Sequence, residues 1–499
     1  MNPALPAPAP VRWDAPTSDR AAGVLMGLAC GDALGAPFEF GPPLAADTPV
    51  AMVGGGSFGW APGEWTDDTQ MAVVLLEAAE RAVAGEGALT DHLDDVAAGW
   101  AAWAEQATDV GVQTRGVLSA ASRHGAPTAA GLTAAAVARH EATGRSGGNG
   151  SLMRTAPAAL AYLHDEAGMA EAARTISALT HTDPEAGDAC VLWCAAIRHA
   201  ILTGQLDARH GLHLLPEDRR GAWAARLDEA EENEPAAFDH NGWVVHALQG
   251  AWSAISRTAV PDRTGHLLPA DHFRLALEAA VRGGRDTDTV AAIAGSLLGA
   301  RWGASAVPAG WRRVVHGWPG LRVTELGLRG LAVARRHSDV SAWPLSDRVD
   351  YRAVASGRLI RHPHDAEVFL GDAAVLDALP VEVDAVVSLC RVGRRRPDRV
   401  DAADHVEVWL VDSPDPVANP HLDYVLREAA DVVAELRASG RCVLVHCAAA
   451  QSRTPTVGAA YAVRHLGIDA DRALKDVVDA LPDARPHRTF RDAVRQVTR

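Results

Sequence analysis

Residues 63–82 read GEWTDDTQMAVVLLEAAERA, and this stretch predicts a helix that starts beside two adjacent carboxylates. The apolar residues from Met71 onward recur with helical spacing. Asp67, followed by Gln70 three positions later, fits the capping box that starts many helices. A cap accounts for one carboxylate and leaves Asp68 without a structural role.

The helical pattern continues on both sides of this stretch. Residues 20–337 are rich in alanine and contain periodic segments that end near glycine, such as AGLTAAAVARHEATG and VAAIAGSLLGARWG. Strand patterns are nearly absent here. We therefore predict one all-α domain.

The pattern changes near residue 340. Short apolar runs of strand type, among them VDAVVSLC and CVLVHC, alternate with helical stretches such as HLDYVLREAADVVAELRASG. This alternation is typical of an α/β fold. The prediction is a multidomain chain, and its parts are a disordered Pro/Ala-rich tail at 1–18, an all-α domain at 19–338, a linker at 339–350 and an α/β domain at 351–499.

The composition excludes some classes of function. The formal net charge is -16, and an acidic chain is not typical of nucleic-acid binders. Six cysteines form no CxxC pair, which indicates a reducing compartment. The N-terminus lacks a signal-peptide pattern, and no run approaches the roughly 18 apolar residues of a membrane span. We expect a cytoplasmic protein without a membrane or nucleic-acid partner.

A second acidic cluster opens another apolar helix at residues 283–299, GGRDTDTVAAIAGSLLG. Two carboxylates on one side of a turn repel each other unless a cation lies between them. If the two clusters meet, they offer four carboxylates and two hydroxyls: Thr66, Asp67, Asp68, Asp286, Asp288 and Thr289. Such an all-oxygen set suits Mg²⁺ or Mn²⁺, and its size suits two ions.

A glycine-rich loop, GRSGGNGSLMRTAP, occupies residues 144–157. Its backbone N–H groups could hold a phosphate or pyrophosphate. A plain turn is the alternative, because glycine-rich loops are common in turns.

Five segments together resemble the ADP-ribosylglycohydrolase family, which includes the dinitrogenase reductase-activating glycohydrolases. They are GLACGDALGAPFEF (27–40), WTDDTQM (65–71), GNGSLMRTAP (148–157), LTH (179–181) and DTDTVAAIAG (286–295), in family order. The resemblance implies an all-α orthogonal bundle with two Mg²⁺ ions. It also implies hydrolysis of the N- or O-glycosidic bond between ADP-ribose and an acceptor.

The resemblance assigns roles to individual residues. The six oxygen-bearing residues above match the metal ligands, with Asp67, Asp68 and Asp288 also catalytic. Glu39 matches a mobile glutamate that guards the metals in some members. The loop residues that match ADP-ribose contacts are Ser146, Gly148, Asn149, Gly150 and Ser151. His181 matches a histidine near the distal part of the ligand, and a core histidine is the alternative.

The expected reaction follows from this chemistry. Bound ions hold the ribose hydroxyls and a water molecule close together and lower the pKa of the water. A neighbouring aspartate accepts the proton of the water as it attacks the anomeric carbon. Carboxylates around the site stabilise the oxocarbenium-like transition state.

A second candidate site lies in CVLVHCAAAQSRTPTVGAAYAVRHLG, residues 442–467. A strand pattern ends at Cys447, and Arg453 and Thr454 follow where a helix starts. Loop amides and the helix start lower a thiol pKa, while an arginine clamps two phosphate oxygens. Thr454 is placed to hydrogen-bond the thiolate. The loop residues predicted to bind phosphate are Ala448, Ala449, Ala450, Gln451, Ser452 and Thr454. A buried structural cysteine is the alternative.

This half of the chain resembles cysteine-dependent dual-specificity phosphatases. VFLGD, VDAVVSL and LREAADVV fit the same family. The resemblance makes Cys447 the nucleophile and Arg453 the phosphate clamp. The general acid is then an aspartate in WLVDSPDPVANP, either Asp412 or Asp415, and we favour Asp412.

Two features leave the second activity open. The family loop normally carries glycine where this chain has Ala450, and a positive φ there would cost alanine on the order of 1 kcal/mol. The basic run RVGRRRPDR, residues 391–399, binds further phosphates or is a solvated loop.

The leading interpretation of the whole chain is a bifunctional enzyme. Its substrates are an ADP-ribosylated protein or a small ADP-ribose conjugate, and a phosphorylated compound. One alternative is a phosphatase whose helical domain only locates substrates. The other is an ADP-ribose-binding module with a degenerate phosphatase pocket.

Overall fold

The computed structural model describes residues 11–263 and 266–497. The N-terminal part is a helical bundle, and a two-stranded antiparallel ribbon lies near its end. Its helices are α1 Ala15–Gly35, α2 Asp67–Arg81, α3 Leu93–Ala104, α4 Val112–Ala121, α5 Ala129–Thr143, α6 Ala156–Ala161, α7 Glu166–Ala178, α8 Pro184–Thr203, α9 Glu217–Glu232, α10 Val244–Arg257, α11 His272–Arg282, α12 Thr287–Trp302, α13 Ala309–Val314 and α14 Val323–Ala334. The ribbon consists of β1 His316–Gly317 and β2 Leu321–Arg322.

Helices α1 and α12 form the centre of this bundle, with their backbones in direct contact. A Cβ atom added to Gly27 would lie 2.0 Å from the Gly295 carbonyl oxygen, so only glycine fits there. A Cβ atom on Gly35 would lie 2.4 Å from the Cα atom of Asp288. The two helices are antiparallel, and this contact therefore brings the end of α1 to the start of α12.

Helix α1 begins inside the predicted tail. Asp14 caps it, accepting a hydrogen bond from the Thr17 N–H at 2.9 Å, and Pro16 lies in the first turn. The prediction of disorder up to residue 18 is therefore wrong for residues 15–18, while residues 1–10 lie outside the described residues.

Two helical segments are long and apolar enough to cross a membrane, contrary to the expectation that no run approaches that length. They are Ala15–Phe38 and Pro184–Thr203. Their most apolar windows are 89% and 72% buried inside the protein, as is typical of core helices. Composition alone does not separate a membrane helix from the central helix of a bundle.

The C-terminal part is an α/β domain with a five-stranded sheet. Its strands are β3 Leu359–His362, β4 Asp365–Asp372, β5 Ala385–Ser388, β6 His405–Glu407 and β7 Val443–Cys447. Their order in the sheet is β3-β4-β7-β5-β6, with β3 antiparallel at one edge and the others parallel. Its helices are α15 Leu422–Ala438, α16 Arg453–Leu466, α17 Ala470–Ala480 and α18 Arg488–Gln496. The predicted fold class, an all-α bundle followed by an α/β domain, is confirmed.

Helix α15 connects the two domains. Arg427 donates to both carboxylate oxygens of Asp271, at 2.8 and 2.7 Å, and both side chains are largely buried. The Tyr424 hydroxyl donates to the Ala306 carbonyl at 3.0 Å. The domains thus share a buried polar interface.

Candidate functional site

The first site includes Asp32, which lies near the end of α1. The Asp32 side chain caps the start of helix α2, although it belongs to a different helix. Its carboxylate accepts from the backbone N–H groups of Thr66 and Thr69, at 2.8 and 3.0 Å, and from the Thr69 hydroxyl at 2.6 Å. Thr66 holds the N-cap position without a side-chain cap, so the predicted capping box of Asp67 and Gln70 is wrong. Both aspartates are therefore free for another role.

The two acidic clusters meet at this helix start. Carboxylate oxygens of Asp32, Asp68 and Asp288 lie within 4.8 Å of one another, and so do those of Glu39, Asp286 and Asp288. Asp288 belongs to both groups. Because α1 and α12 touch through glycine, residues more than two hundred positions apart share one acidic pocket.

Hydroxyl groups complete this pocket. The Thr66 hydroxyl lies 3.1 Å from Asp68 Oδ2 and 3.3 Å from Asp288 Oδ2. Thr289 follows Asp288 on α12. Burial raises the pKa of Asp286, and hydrogen bonds from the Asn149 and Thr289 side chains offset part of this rise. The structure thus brings together the predicted oxygen ligands Thr66, Asp68, Asp286, Asp288 and Thr289, with Asp67 outside both carboxylate groups.

Burial and mutual repulsion raise the pKa of these carboxyl groups. Burial raises the pKa of Asp32 to about 6 and, with the charge of Asp286, that of Glu39 to about 9. Burial and the neighbouring aspartates hold the pKa of Asp68 and Asp288 well above their usual range. A divalent cation would relieve this repulsion.

The residues present fit a hard cation. All the side-chain donors are oxygen atoms, which Mg²⁺ prefers. Asp68 Oδ1 and Glu39 Oε2 are buried and make no hydrogen bond to a residue of the described ranges. Buried oxygens without a donor are what a metal site requires.

Asp67 lies beside this pocket and adjoins a residue that the sequence did not single out. Burial and the charge of Asp109 raise the pKa of Asp67, and the Gly111 N–H donates to it. Burial and the charge of Asp286 in turn raise the pKa of Asp109. Asp109 comes just before α4 and belongs to no repeated motif, so only the fold shows its position.

The glycine-rich loop adjoins the acidic pocket through Asn149. The Asn149 amide donates to Asp286 Oδ2 at 2.7 Å and to the Asn241 carbonyl at 2.8 Å. The Ser146 hydroxyl lies 2.6 Å from His140 Nδ1. The Ser151 hydroxyl accepts from Ser177 at 2.9 Å inside the bundle, so this side chain faces the core.

His181 lies against the two glycines of the loop. Cβ atoms at Gly148 and Gly150 would lie 3.2 Å from its ring, so both positions need glycine or a shift of the ring. The Thr180 hydroxyl lies 2.7 Å from Nδ1. Burial and the charge of Arg154 hold the pKa of His181 well below its usual value, so the ring is neutral. The neutral His181 ring therefore supports the glycine-rich loop by packing against it.

The second site is the loop between β7 and α16, which starts at Cys447. Arg453 Nη1 donates to the carbonyls of Leu389 and Leu410, at 2.7 and 3.2 Å. Its Nε is buried and makes no hydrogen bond to a residue of the described ranges. The same Nε lies 3.5 Å from Asp412 Oδ2. One side of the guanidinium is anchored by carbonyls, and the Nε side is ion-paired with Asp412, whose place a bound anion would take.

The loop backbone is also arranged for an anion. The carbonyls of Ala448, Ala449 and Gln451 accept from the surrounding scaffold. The backbone N–H groups of residues 449–452 donate to no residue within 11–263 or 266–497. The Ser452 hydroxyl is buried and likewise lacks a hydrogen-bond partner there. Free amides at a helix start favour a phosphate.

Ala450 has φ of +56°, so the left-handed conformation considered from the sequence is present. Its methyl group is fully buried in a small apolar cluster with Leu481 and Ala484. The packing of this methyl group offsets part of the backbone strain.

Thr454 departs from its predicted role. Its hydroxyl donates to the Gly371 carbonyl at 3.2 Å, so it is not directed at the Cys447 thiol. The prediction that Thr454 hydrogen-bonds the thiolate is therefore wrong for this structure.

The two candidate acids differ in position. Asp412 lies near Arg453, and His487 Nε2 is 3.1 Å from its Oδ1. Asp415 caps a short 3₁₀ turn by accepting from the Val417 N–H at 2.9 Å. The geometry favours Asp412. His487 comes from the last loop of the chain, and no sequence signal connected it to this site.

The basic run is partly structural. Arg394 lies 3.3 Å from Asp347, and Arg399 donates to the carbonyls of Leu379 and Pro380. Arg391 differs, because its guanidinium lies 3.7 Å from the centre of the Trp343 ring.

The helical domain and its acidic pocket belong to a known class of enzyme. The family model described as ADP-ribosylglycohydrolase matches residues 14–340, so the chain belongs to this family and is a glycosidic-bond hydrolase by class. The resemblance read from the sequence is confirmed.

Individual relatives agree with both halves. ADP-ribosyl-dinitrogen reductase glycohydrolase of Rhodospirillum rubrum is 30% identical over 59% of this chain and 89% of its own length. ADP-ribosylarginine hydrolase Tri1 of Pseudomonas putida is 31% identical over 59% of this chain and 73% of its own. Dual specificity phosphatase 28 of Mus musculus is 34% identical over 25% of this chain and 74% of its own. The C-terminal domain is thus similar to dual-specificity phosphatases.

Proposed function

We propose that the helical domain is a Mg²⁺-dependent hydrolase that removes ADP-ribose from modified substrates. The observation that carries this proposal is the convergence of Asp68, Asp286 and Asp288 in one pocket tied to the glycine-rich loop. Two Mg²⁺ ions, for which Mn²⁺ could substitute, would be held by the six predicted oxygen ligands and would supply Lewis acidity for water and ribose.

The residues of the chain then have separate tasks. Asn149 ties the loop to Asp286, so that a diphosphate on the loop amides lies next to the acidic pocket. Asp67, at the edge of the pocket, accepts a proton from the attacking water at its carboxylate. The remaining carboxylates stabilise the positive charge that develops on the ribose. Glu39, with an unpartnered oxygen beside the pocket, controls access.

ADP-ribosylarginine is the first substrate to test. The two glycohydrolase relatives are named for dinitrogen reductase and for ADP-ribosylarginine, which supports an arginine acceptor on a protein or a small conjugate. A guanidinium is a good leaving group when it departs with a proton, which suits a pocket rich in carboxylates.

Asp68→Asn provides the test. The variant should lose at least about a hundredfold in the rate of ADP-ribose release from ADP-ribosylarginine, because it removes a ligand and a charge. It should also bind Mg²⁺ more weakly in calorimetry. Asp47→Asn, at an exposed loop position, is the matched control and should change neither. Full activity with unchanged metal binding in Asp68→Asn would refute the proposal.

The C-terminal domain is proposed to be a cysteine-dependent phosphatase, as the free loop amides and Arg453 Nε suggest. The Cys447 thiolate attacks phosphorus, and the ester oxygen leaves with a proton from Asp412. Water then displaces the thiol sulfur and releases inorganic phosphate.

Variants of these two residues test this activity with an aryl phosphate. Cys447→Ser should abolish turnover, and Asp412→Asn should lower kcat by about 10²–10⁴. Asp415→Asn is the matched control. If wild type and Cys447→Ser release no phosphate, this domain is a binding module. A different outcome would show that the helical domain only locates substrates. In that case the wild type would bind ADP-ribose without releasing any from ADP-ribosylarginine, and Asp68→Asn would bind it equally well.

We further propose a cytoplasmic location. All six cysteines are buried free thiols, which suits a reducing compartment. Fractionation of the native host with antibody detection would test it, and recovery with the membrane or exported fraction would contradict it.

A further inference from the structure

A cavity of about 500 Å³ lies between the two domains. The helical domain contributes Trp13 and Arg335 to its walls, the segment that joins the domains contributes Trp343, and the C-terminal domain contributes Trp409 and Arg391. This volume is in the range of small-molecule sites. The cavity is therefore large enough for a nucleotide-sized compound.

The cavity reaches the start of α16, next to the phosphatase-like loop. Arg453 and Asp412, the proposed clamp and acid, both line it. A phosphate held by the Cys447 loop would have its ester group on the side where Asp412 donates a proton. The rest of the substrate would thus extend into the space between the domains.

Aromatic rings and two unpaired arginines define the chemistry of this space. The rings of Trp343 and Trp409 lie 5.9 Å apart at an angle of 58°. Arg391 lies over Trp343, and Arg335 lies over Trp13 at 5.4 Å. Neither guanidinium has an ion pair or side-chain hydrogen bond to a residue within the described ranges.

The positive charges of the cavity are close to one another. Burial, together with the charges of Arg335 and Arg453, lowers the pKa of Arg391. Two further acids line the cavity, but neither pairs with these arginines. Asp14 caps α1, and burial raises the pKa of Glu407 to about 7. Arg335 and Arg391, which have no acidic partner among the described residues, favour an anionic ligand.

We propose that this cavity binds a small organic phosphate ester that carries an aromatic base and a second anionic group, as a nucleotide bisphosphate does. The proposal rests on the phosphatase function proposed above and names its substrate class. The indole rings stack on the base, while Arg391 and Arg335 hold the second anion. ADP-ribose, the product of the helical domain, carries both features, so its phosphomonoesters belong to this class.

Coverage by the helical domain argues against a phosphorylated residue on a folded protein. Residues Ala15 and Ser18 of α1 and Leu328 of α14 line the cavity together with residues of the C-terminal domain. A phosphoresidue on a protein surface would have to pass between the two domains. A flexible phosphopeptide is the competing occupant.

The experiment compares three substrates on the full chain: adenosine 3′,5′-bisphosphate, para-nitrophenyl phosphate and a phosphotyrosine peptide. We expect the highest kcat/KM for the bisphosphate. We compare kcat/KM for the bisphosphate with kcat/KM for the aryl phosphate. Arg335→Ala and Arg391→Ala should each lower the ratio of the first to the second about tenfold or more. Arg336→Ala and Arg394→Ala, their neighbours outside the cavity walls, are the matched controls. A higher kcat/KM for the peptide, or unchanged ratios, would overturn the proposal.

A binding measurement separates this proposal from the phosphatase function. Calorimetry of full-chain Cys447→Ser with the bisphosphate needs no turnover. If the bisphosphate binds, and if Arg335→Ala in the same background weakens this binding about tenfold, the cavity site is supported. This holds even if the wild type cleaves no aryl phosphate. Absence of binding refutes the site, whether or not aryl phosphate is cleaved.

Discussion

The ion pair of Arg427 and Asp271 offers a direct test of how the two domains are held together. Asp271 is 3% exposed and accepts two hydrogen bonds from the Arg427 guanidinium, which also donates to Glu428 Oε1 at 3.1 Å. Replacing Arg427 by methionine keeps an apolar stem and leaves a buried carboxylate without its main partner. Removing one member of a buried ion pair typically costs about 3–5 kcal/mol.

The local contacts place the expected cost at the lower end of that range. Asp271 Oδ2 still accepts from the Leu268 N–H at 2.7 Å, and Arg274 lies 3.9 Å from Oδ1. We therefore expect Arg427→Met to lower the free energy of unfolding by about 3 kcal/mol. Combining it with Asp271→Asn removes the stranded charge and keeps a cap, so the double variant should recover about 1–2 kcal/mol.

Urea unfolding followed by circular dichroism, with calorimetry, measures these differences on the full chain. Arg472→Met removes an exposed pair with Asp476 on α17 and should cost less than about 1 kcal/mol. A loss below about 1 kcal/mol in Arg427→Met, or no recovery in the double variant, would refute the reasoning.

Three further predictions concern single sites. Asp32→Ala should lower both stability, by about 2–3 kcal/mol, and Mg²⁺ affinity, because the N–H groups of helix α2 lose their acceptor; unchanged urea unfolding would contradict this. Ala450→Gly should change stability by less than about 1 kcal/mol, because relief at φ of +56° opposes loss of the buried methyl group; a loss above about 2 kcal/mol would show that packing dominates. Burial lowers the pKa of His405 to about 3 and of His446 to about 4, below the unfolded value, so each contributes stability above pH 6.5 that is lost as the pH falls, by about 1.4 kcal/mol per pH unit. Other buried groups also titrate in this range, so the test compares two proteins. Between pH 6.5 and 5 the unfolding free energy of His405→Gln, which can still bond Ser388, should fall less steeply than that of the wild type by about 1.4 kcal/mol per pH unit; an equal slope in both proteins would be inconsistent with the assignment.

Much of both sites was readable from residue type and spacing. Two kinds of pattern predicted residues that the fold brings into two pockets. They are the Thr-Asp-Asp and Asp-Thr-Asp-Thr stretches, and a cysteine separated by five residues from Arg453 and Thr454. Where prediction failed, a distant partner decided the outcome. The sequence predicted that Asp67 caps helix α2, because it does not show that Asp32 on α1 accepts from the start of that helix. It predicted that Thr454 bonds the thiolate, because it does not show that the Gly371 carbonyl accepts from the Thr454 hydroxyl.

The sequence by itself determined the order of the two domains, the oxygen-only character of the first site and the cysteine that we propose as the nucleophile of the second. These properties depend on side-chain chemistry and local periodicity. Only the tertiary structure decided that Asp32 caps helix α2, that Asp109 and His487 join the sites, and that both domains enclose one cavity. The reason is physical: contacts between helices that are far apart in the chain depend on how backbones pack, as the glycine contact of α1 and α12 shows.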